Sequence, residues 1–238
     1  EEADSINIEE IVKQISSSDK ISIHLPDYLR GNRIIDPVSK LKSTRSDSRR
    51  LIKNVQEFAV SISQVIGRKV PIIGSFSQRA EPKRKLDLEK IYEFVLSSKK
   101  SECSIYPQWL PVFAWYFGGT VQINLFNSEE DIEFIHNNNF HICLDICHVV
   151  LSANHYGQNW YDWYQLLENY TGHYHYANAE GVDGEGLDID KGDIRDFSLF
   201  FSNNKMKILE VWQGHLNSGQ GFINNLKTLH FQELNRKL

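Results

Sequence analysis

The chain has 238 residues, 41% of them hydrophobic and 24% charged, enough for one sizeable globular domain with its own core. Its net charge of -5 argues against nonspecific nucleic-acid binding, and it has no continuous apolar run long enough to span a membrane. Cys103, Cys143 and Cys147 have no zinc-type spacing and cannot all pair, which points to a reduced, cytoplasmic setting.

The chain opens on Glu1, which suggests that upstream sequence is absent, and continues through an amphipathic stretch, INIEEIVKQI. In chain order, strand patterns are expected at 21–25 (ISIHL), 70–76 (VPIIGSF), 102–106 (ECSIY), 141–147 (HICLDIC), 173–179 (HYHYANA) and 207–212 (KILEVW). A further run, 121–126, reads as a strand or a loop piece. Helical patterns fall at 47–67, 86–98, 127–138 and 160–170. Asn127 and Ser128 before Glu129 and Glu130 make a good helix start, with acids in the first turn. Strands spaced by helices indicate βα units and a parallel sheet, in one domain spanning 1–238.

The strands carry polar residues on one face. His141, Cys143, Asp145 and Cys147 alternate with Ile142, Leu144 and Ile146, and Glu210 shares a face with Ile208 and Trp212. Open parallel sheets bury apolar residues on both faces, so this pattern favours a barrel with its site at the C-terminal strand ends. His24, Asp145, His148, His173, His175 and Glu210 lie near strand ends. Such an oxygen and nitrogen mixture suits Mn²⁺, Co²⁺, Mg²⁺ or Zn²⁺. Two readings of Asp145 stand: a carboxylate paired with a cation, or a cap on the following helix. A single inward His is more often a hydrogen-bonded core residue than a ligand.

HICLDICH (141–148), HYHYANAEG (173–181) and KILEVW (207–212) resemble the last three strand motifs of the xylose-isomerase-like barrel superfamily, which includes sugar isomerases, epimerases and endonuclease IV. The resemblance is specific over roughly 140–212 and weaker over 21–125. It implies a (β/α)8 TIM barrel, with Asp145, His175 and Glu210 as metal ligands, Glu210 also as base, and His148 and His24 beside a sugar substrate. ISIHL matches the third family strand, so the first strands are missing from this chain. The fifth-strand acid of the family is absent too: CSIYPQWLP offers Gln108, a ligand through its amide oxygen that cannot shuttle a proton. PIIGSFS has no His, against a three-metal phosphodiesterase site.

Two aromatic groups flank these motifs: Trp109, Phe113, Trp115, Tyr116 and Phe117, then Tyr156, Trp160, Tyr161, Trp163 and Tyr164. They read either as walls for sugar C–H surfaces, with Trp109 and Trp160 foremost, or as helix–barrel packing. From Arg30 to Lys53 there are eight basic residues against two acids. Arg30 and Arg33 could meet a substrate phosphate or carboxylate, the alternative being a solvated helix face. Residues 179–193 are rich in Asp and Gly without EF-hand spacing, and Glu180 or Glu185 could supply the missing carboxylate.

The resemblance implies a metal-dependent isomerase or epimerase of a phosphorylated or acylated sugar, working by proton transfer through an enediolate. LPVFAWYFGG and DGEGLDID also resemble isomerase-like domains associated with nonulosonic sugar synthesis. The alternatives are a degenerate barrel acting as a sugar-binding or regulatory domain of a larger synthase, or a metal-dependent endonuclease for abasic DNA. A small-molecule sugar is the expected partner, nucleic acid and membrane are not, and a homo-oligomer is allowed.

Overall fold

The computed structural model describes residues 8–31, 33–76, 84–116, 118–200 and 204–236. They form an α/β fold that divides into two compact units, 1–76 with 85–106 and 77–84 with 107–238.

In the first unit, α1 (Ile8–Gln14), β1 (Ile23–His24) and a short antiparallel hairpin of β2 (Tyr28–Leu29) and β3 (Arg33–Ile34) precede the long helix α2 (Lys42–Ile66). Then follow β4 (Val70–Gly74), α3 (Arg84–Ser97) and β5 (Cys103–Pro107), with the sheet ordered β1-β4-β5 and β1 parallel to β4. Helix α2 buries a stripe at Thr44, Ser48, Ile52, Gln56, Ala59, Ile62 and Ile66, steps of three and four that keep one helix face inward. It begins five residues before the expected start at 47, because that first turn is held by polar groups rather than by apolar periodicity. Arg49 Nε donates to the Pro37 carbonyl at 2.8 Å, and the Arg45 guanidinium donates to that of Ser39. Gly67, at φ 66°, closes the helix in the left-handed conformation.

In the second unit, β6 (Phe113–Tyr116) and β7 (Gly119–Gln122) form an antiparallel hairpin, so the ambiguous 121–126 run contributes only its first residues to a strand. Then come α4 (Glu129–Asn138), β8 (Ile142–Asp145), α5 (Ile146–His155), α6 (Trp160–Leu167) and β9 (Thr171–Tyr176). The hairpin β10 (Asn178–Glu180) and β11 (Gly184–Leu187), β12 (Met206–Leu209) and α7 (Leu216–Arg236) complete it. Strands β8, β9 and β12 are parallel, in the order β12-β9-β8. Among the described residues the strands form parallel pairs and hairpins, and no closed barrel is found.

One boundary changes the chemistry. Ile146 and Cys147 are the first residues of α5, not the last of the preceding strand. Every residue from Ile146 to Ala153 is buried, so the helix has no polar face and its apolar run reads as strand in the sequence. Helix α7 has the opposite problem: residues 217–219 have positive φ, and its Gly- and Asn-rich opening carries no helix signal.

The expected helix start is present two residues into the 127–138 pattern, with Ser128 as the cap and Glu129 as the first helical residue. The fully buried Asp131 carboxylate accepts from the backbone N–H of Asn127 (2.8 Å) and Ser128 (3.0 Å) and from the Ser128 hydroxyl (3.1 Å). Asp131→Ala leaves those donors buried and unpaired, and should cost about 2–4 kcal/mol in urea unfolding, with the unfolding slope unchanged.

Candidate metal centre

Register places the site. Asp145 pairs with His175, which pairs with Ile208, and the backbone N–H of Glu210 donates to the Tyr176 carbonyl at 2.8 Å. Cys143 and Asp145 therefore share a face with His173 and His175, and Glu210 follows at the C-terminal end of β12. Gln108 joins this face through a parallel bridge to Cys143.

Asp145 does two things at once. Its Oδ1 accepts from the backbone N–H of His148 at 3.3 Å, capping α5, so the capping reading holds. Its Oδ2 faces Gln108 Nε2 at 2.9 Å, His148 Nδ1 at 3.2 Å and His175 Nδ1 at 3.8 Å. The result is a chain of alternating acids and imidazoles. Glu185 Oε1 lies 2.8 Å from His148 Nε2, and Glu210 Oε2 lies 2.6 Å from His175 Nδ1.

Hydrogen-bond logic fixes the His148 charge. Nδ1 lies 2.8 Å from the Trp109 carbonyl, which can only accept, and Nε2 meets the Glu185 carboxylate. Both ring nitrogens thus carry protons. Burial works against that charge, but the Asp145 and Glu185 carboxylates outweigh it and push the pKa up to about 10. Burial likewise works to raise the Asp145 carboxyl. The His148 charge, His175 and the Gln108 amide overcome it and hold the carboxyl below its usual value. His175 is raised well above the ordinary range: burial opposes its charge, while contacts with Cys143, Asp145 and Glu210 favour it.

The structure brings together Asp145, His148, His175, Glu210 and Gln108 of the expected set. Gln108 turns its amide N–H₂ toward the cluster, because the Asp145 carboxylate can only accept; it is a donor here, not an oxygen ligand. Trp109, expected as a substrate wall, is fully buried, with its indole N–H on Ser152 Oγ at 3.0 Å, and what it offers the cluster is its carbonyl. Trp160 is half-buried, its ring 6.2 Å from that of Phe200. Trp163 and Tyr164 are core, Trp115 and Tyr156 are exposed, and Phe117 lies outside the described residues.

His24, Arg30 and Arg33 belong to the first unit. His24 is exposed, its Nδ1 2.6 Å from the Leu25 carbonyl; Arg30 is exposed; Arg33 pairs with Asp47 at 3.0 Å. In the same unit Lys40, Arg45 and Arg49 line an open cavity of about 570 Å³ with Lys90, Glu93 and Phe94.

Of the two loop acids weighed above, Glu185 reaches the cluster and Glu180 is exposed. Gly186 pins the hairpin: its N–H donates to Cys147 Sγ (3.3 Å), and its carbonyl accepts from Trp212 N–H (2.8 Å). It has φ 68°, and an added Cβ would lie 2.1 Å from the Trp212 ring, so only glycine fits. The donor set suits a cation. Two carboxylate oxygens, from Asp145 and Glu210, face one imidazole nitrogen of His175, and the Glu210 side chain is 47% exposed, which leaves the group open to solvent.

No protein-family model and no curated protein sequence matches the chain. Among solved structures it is similar to AsbF from Bacillus anthracis, described as a probable 3-DHS dehydratase involved in petrobactin synthesis. The TM-score is 0.57 at 16% identity, covering 88% of this chain and 75% of that one. The likeness is one of fold. Among the described residues, no helix is long and apolar enough to cross a membrane.

The raised His148 pKa sets a pH dependence for metal-free protein. The group's stabilising contribution is complete below its unfolded value near 6.5 and is lost as pH rises through about 10. Glu185→Gln removes one of the two anions, so it should cost about 1–3 kcal/mol at pH 7 and little above pH 10. Urea unfolding midpoints between pH 6 and about 10.5 read both limbs.

Proposed function

We propose that the chain is a divalent-metal-dependent enzyme that moves a proton on a carbon beside a carbonyl of a polyhydroxylated small molecule, as a sugar isomerase or epimerase does. The carrying observation is that Asp145 and Glu210, at the ends of the two parallel strands flanking β9, both lie against the His175 ring, at 3.8 and 2.6 Å from its Nδ1. These three residues would hold Mn²⁺, Co²⁺, Mg²⁺ or Zn²⁺. When bound, the cation supplies Lewis acidity to a carbonyl and holds neighbouring substrate oxygens.

The remaining chemistry belongs to the side chains. Glu210 is the most exposed carboxylate of the cluster, at 47% against 21% for Glu185, and so the one that exchanges a proton with substrate. His148, Glu185 and the Gln108 amide keep Asp145 ionised. Roles for Trp160 as a wall, and for His24, Arg30 and Arg33 toward substrate, rest on the sequence alone, as do a single barrel-type domain and a cytoplasmic setting. Dehydration is the second reading, favoured by the fold shared with a probable dehydratase; it begins with the same C–H proton removal.

Plasma mass spectrometry of metal in the purified chain, beside Asp145→Asn, tests the centre. About one equivalent in the parent is expected, with affinity in the variant falling by more than the roughly 10–100-fold typical of losing an outer partner. Deuterium incorporation from D₂O into a panel of sugars and hydroxy-ketones, read by NMR, tests the proton transfer. Uptake without loss of water supports isomerisation, and loss of water supports dehydration. Negligible metal in both proteins, with no deuterium uptake, contradicts the proposal.

A further inference from the structure

The row of side chains next to Asp145 along β8 and β9 is also built from metal-binding groups, but of a different kind. Cys143, two residues before Asp145, is the register partner of His173, two residues before His175. Cys143 Sγ lies 3.5 Å from His173 Nδ1. One ligand atom from each of Cys143, His173 and His175 falls within 4.8 Å of the others, and all three residues are buried, at 0%, 0% and 3% exposure. Met206, the single methionine of the chain, is the register partner of His173 on β12 and stands in the same row.

We infer that Cys143, His173 and His175 form a second metal position, a thiolate with two imidazoles, selective for Zn²⁺ over Mg²⁺ or Mn²⁺. A sulphur and two imidazoles are donors that Zn²⁺ takes. Mg²⁺ and Mn²⁺ prefer the oxygen donors of Asp145 and Glu210. On binding, the thiol proton and the extra proton of the His175 imidazolium leave to solvent, and the sulphur and one nitrogen lone pair of each ring bind the cation, with no change of oxidation state. The two positions share the His175 ring, so occupancy of one alters the other. Because the ligands lie in the core, this ion loads as the chain folds and exchanges slowly.

The spacing of the cysteines gives no zinc signal, because the ligands sit on neighbouring strands 30 residues apart rather than in one loop. The inference does not depend on the proposed catalytic reading.

Cobalt is the probe. The chain is expressed or refolded in Co²⁺, and its absorption is recorded together with retained metal after brief chelation. A near-ultraviolet thiolate-to-cobalt band is expected in the parent, in Asp145→Asn and in Cys147→Ser. Cys143→Ser should lose the band and about tenfold or more of the retained metal. His173→Gln keeps the sulphur and should weaken and shift the band, so the test survives if Cys143→Ser fails to fold. Cobalt bound without the band, a band lost in Cys147→Ser but not in Cys143→Ser, or no retained cobalt at all would each overturn the inference. Loss of metal in Asp145→Asn with no band in the parent would leave the oxygen-rich centre standing and this one refuted.

Discussion

A carboxylate that water hardly reaches governs the second unit. Asp145 is 3% exposed, and an ion so placed costs several kcal/mol unless its surroundings compensate. The fold compensates it on both oxygens: the start of α5 takes Oδ1, and Gln108, His148 and His175 gather around Oδ2. Each partner is then secured in turn, His148 by Glu185 and the Trp109 carbonyl, His175 by Glu210. The hairpin that carries Glu185 is locked by a glycine against Trp212. Removing any link exposes the next one to an unpaired buried charge.

Two side chains, Gln108 and Glu185, set how charge is distributed around Asp145. Gln108 turns its amide donors toward Asp145, so it adds no negative charge to the centre. Glu185 brings a carboxylate back from a different loop and spends it on His148. That acid therefore holds an imidazolium. Glu210 is left as the most exposed carboxylate of the cluster.

Much of this was legible in the sequence, and the exceptions have physical causes. Strand periodicity puts His24, Asp145, His148, His173, His175 and Glu210 near strand ends, and the parallel pairing of β8, β9 and β12 follows from the intervening helices; the narrower choice of Asp145, His175 and Glu210 came from the family resemblance alone. The switch from strand to helix at Ile146 was not legible, since a fully buried helix and a buried strand share one apolar pattern. Trp109 looked like a wall because an aromatic beside a strand end can turn either way, and its indole N–H found Ser152 inside. Glu185 was only one of two loop candidates, for no local pattern says which hairpin residue reaches across to α5. The cysteine–histidine row was invisible as a motif because its members meet only through the register of two strands.

The most direct test is a crystal structure of the chain, grown or soaked with Mn²⁺ and with Zn²⁺, with anomalous maps at each metal's absorption edge. The account predicts an anomalous peak about 2.0–2.3 Å from a His175 ring nitrogen, with Asp145 and Glu210 completing the contacts. Maps free of any peak on His175, with the Gln108–Asp145–His148–Glu185 chain intact, would contradict it and leave Asp145 a purely structural ion.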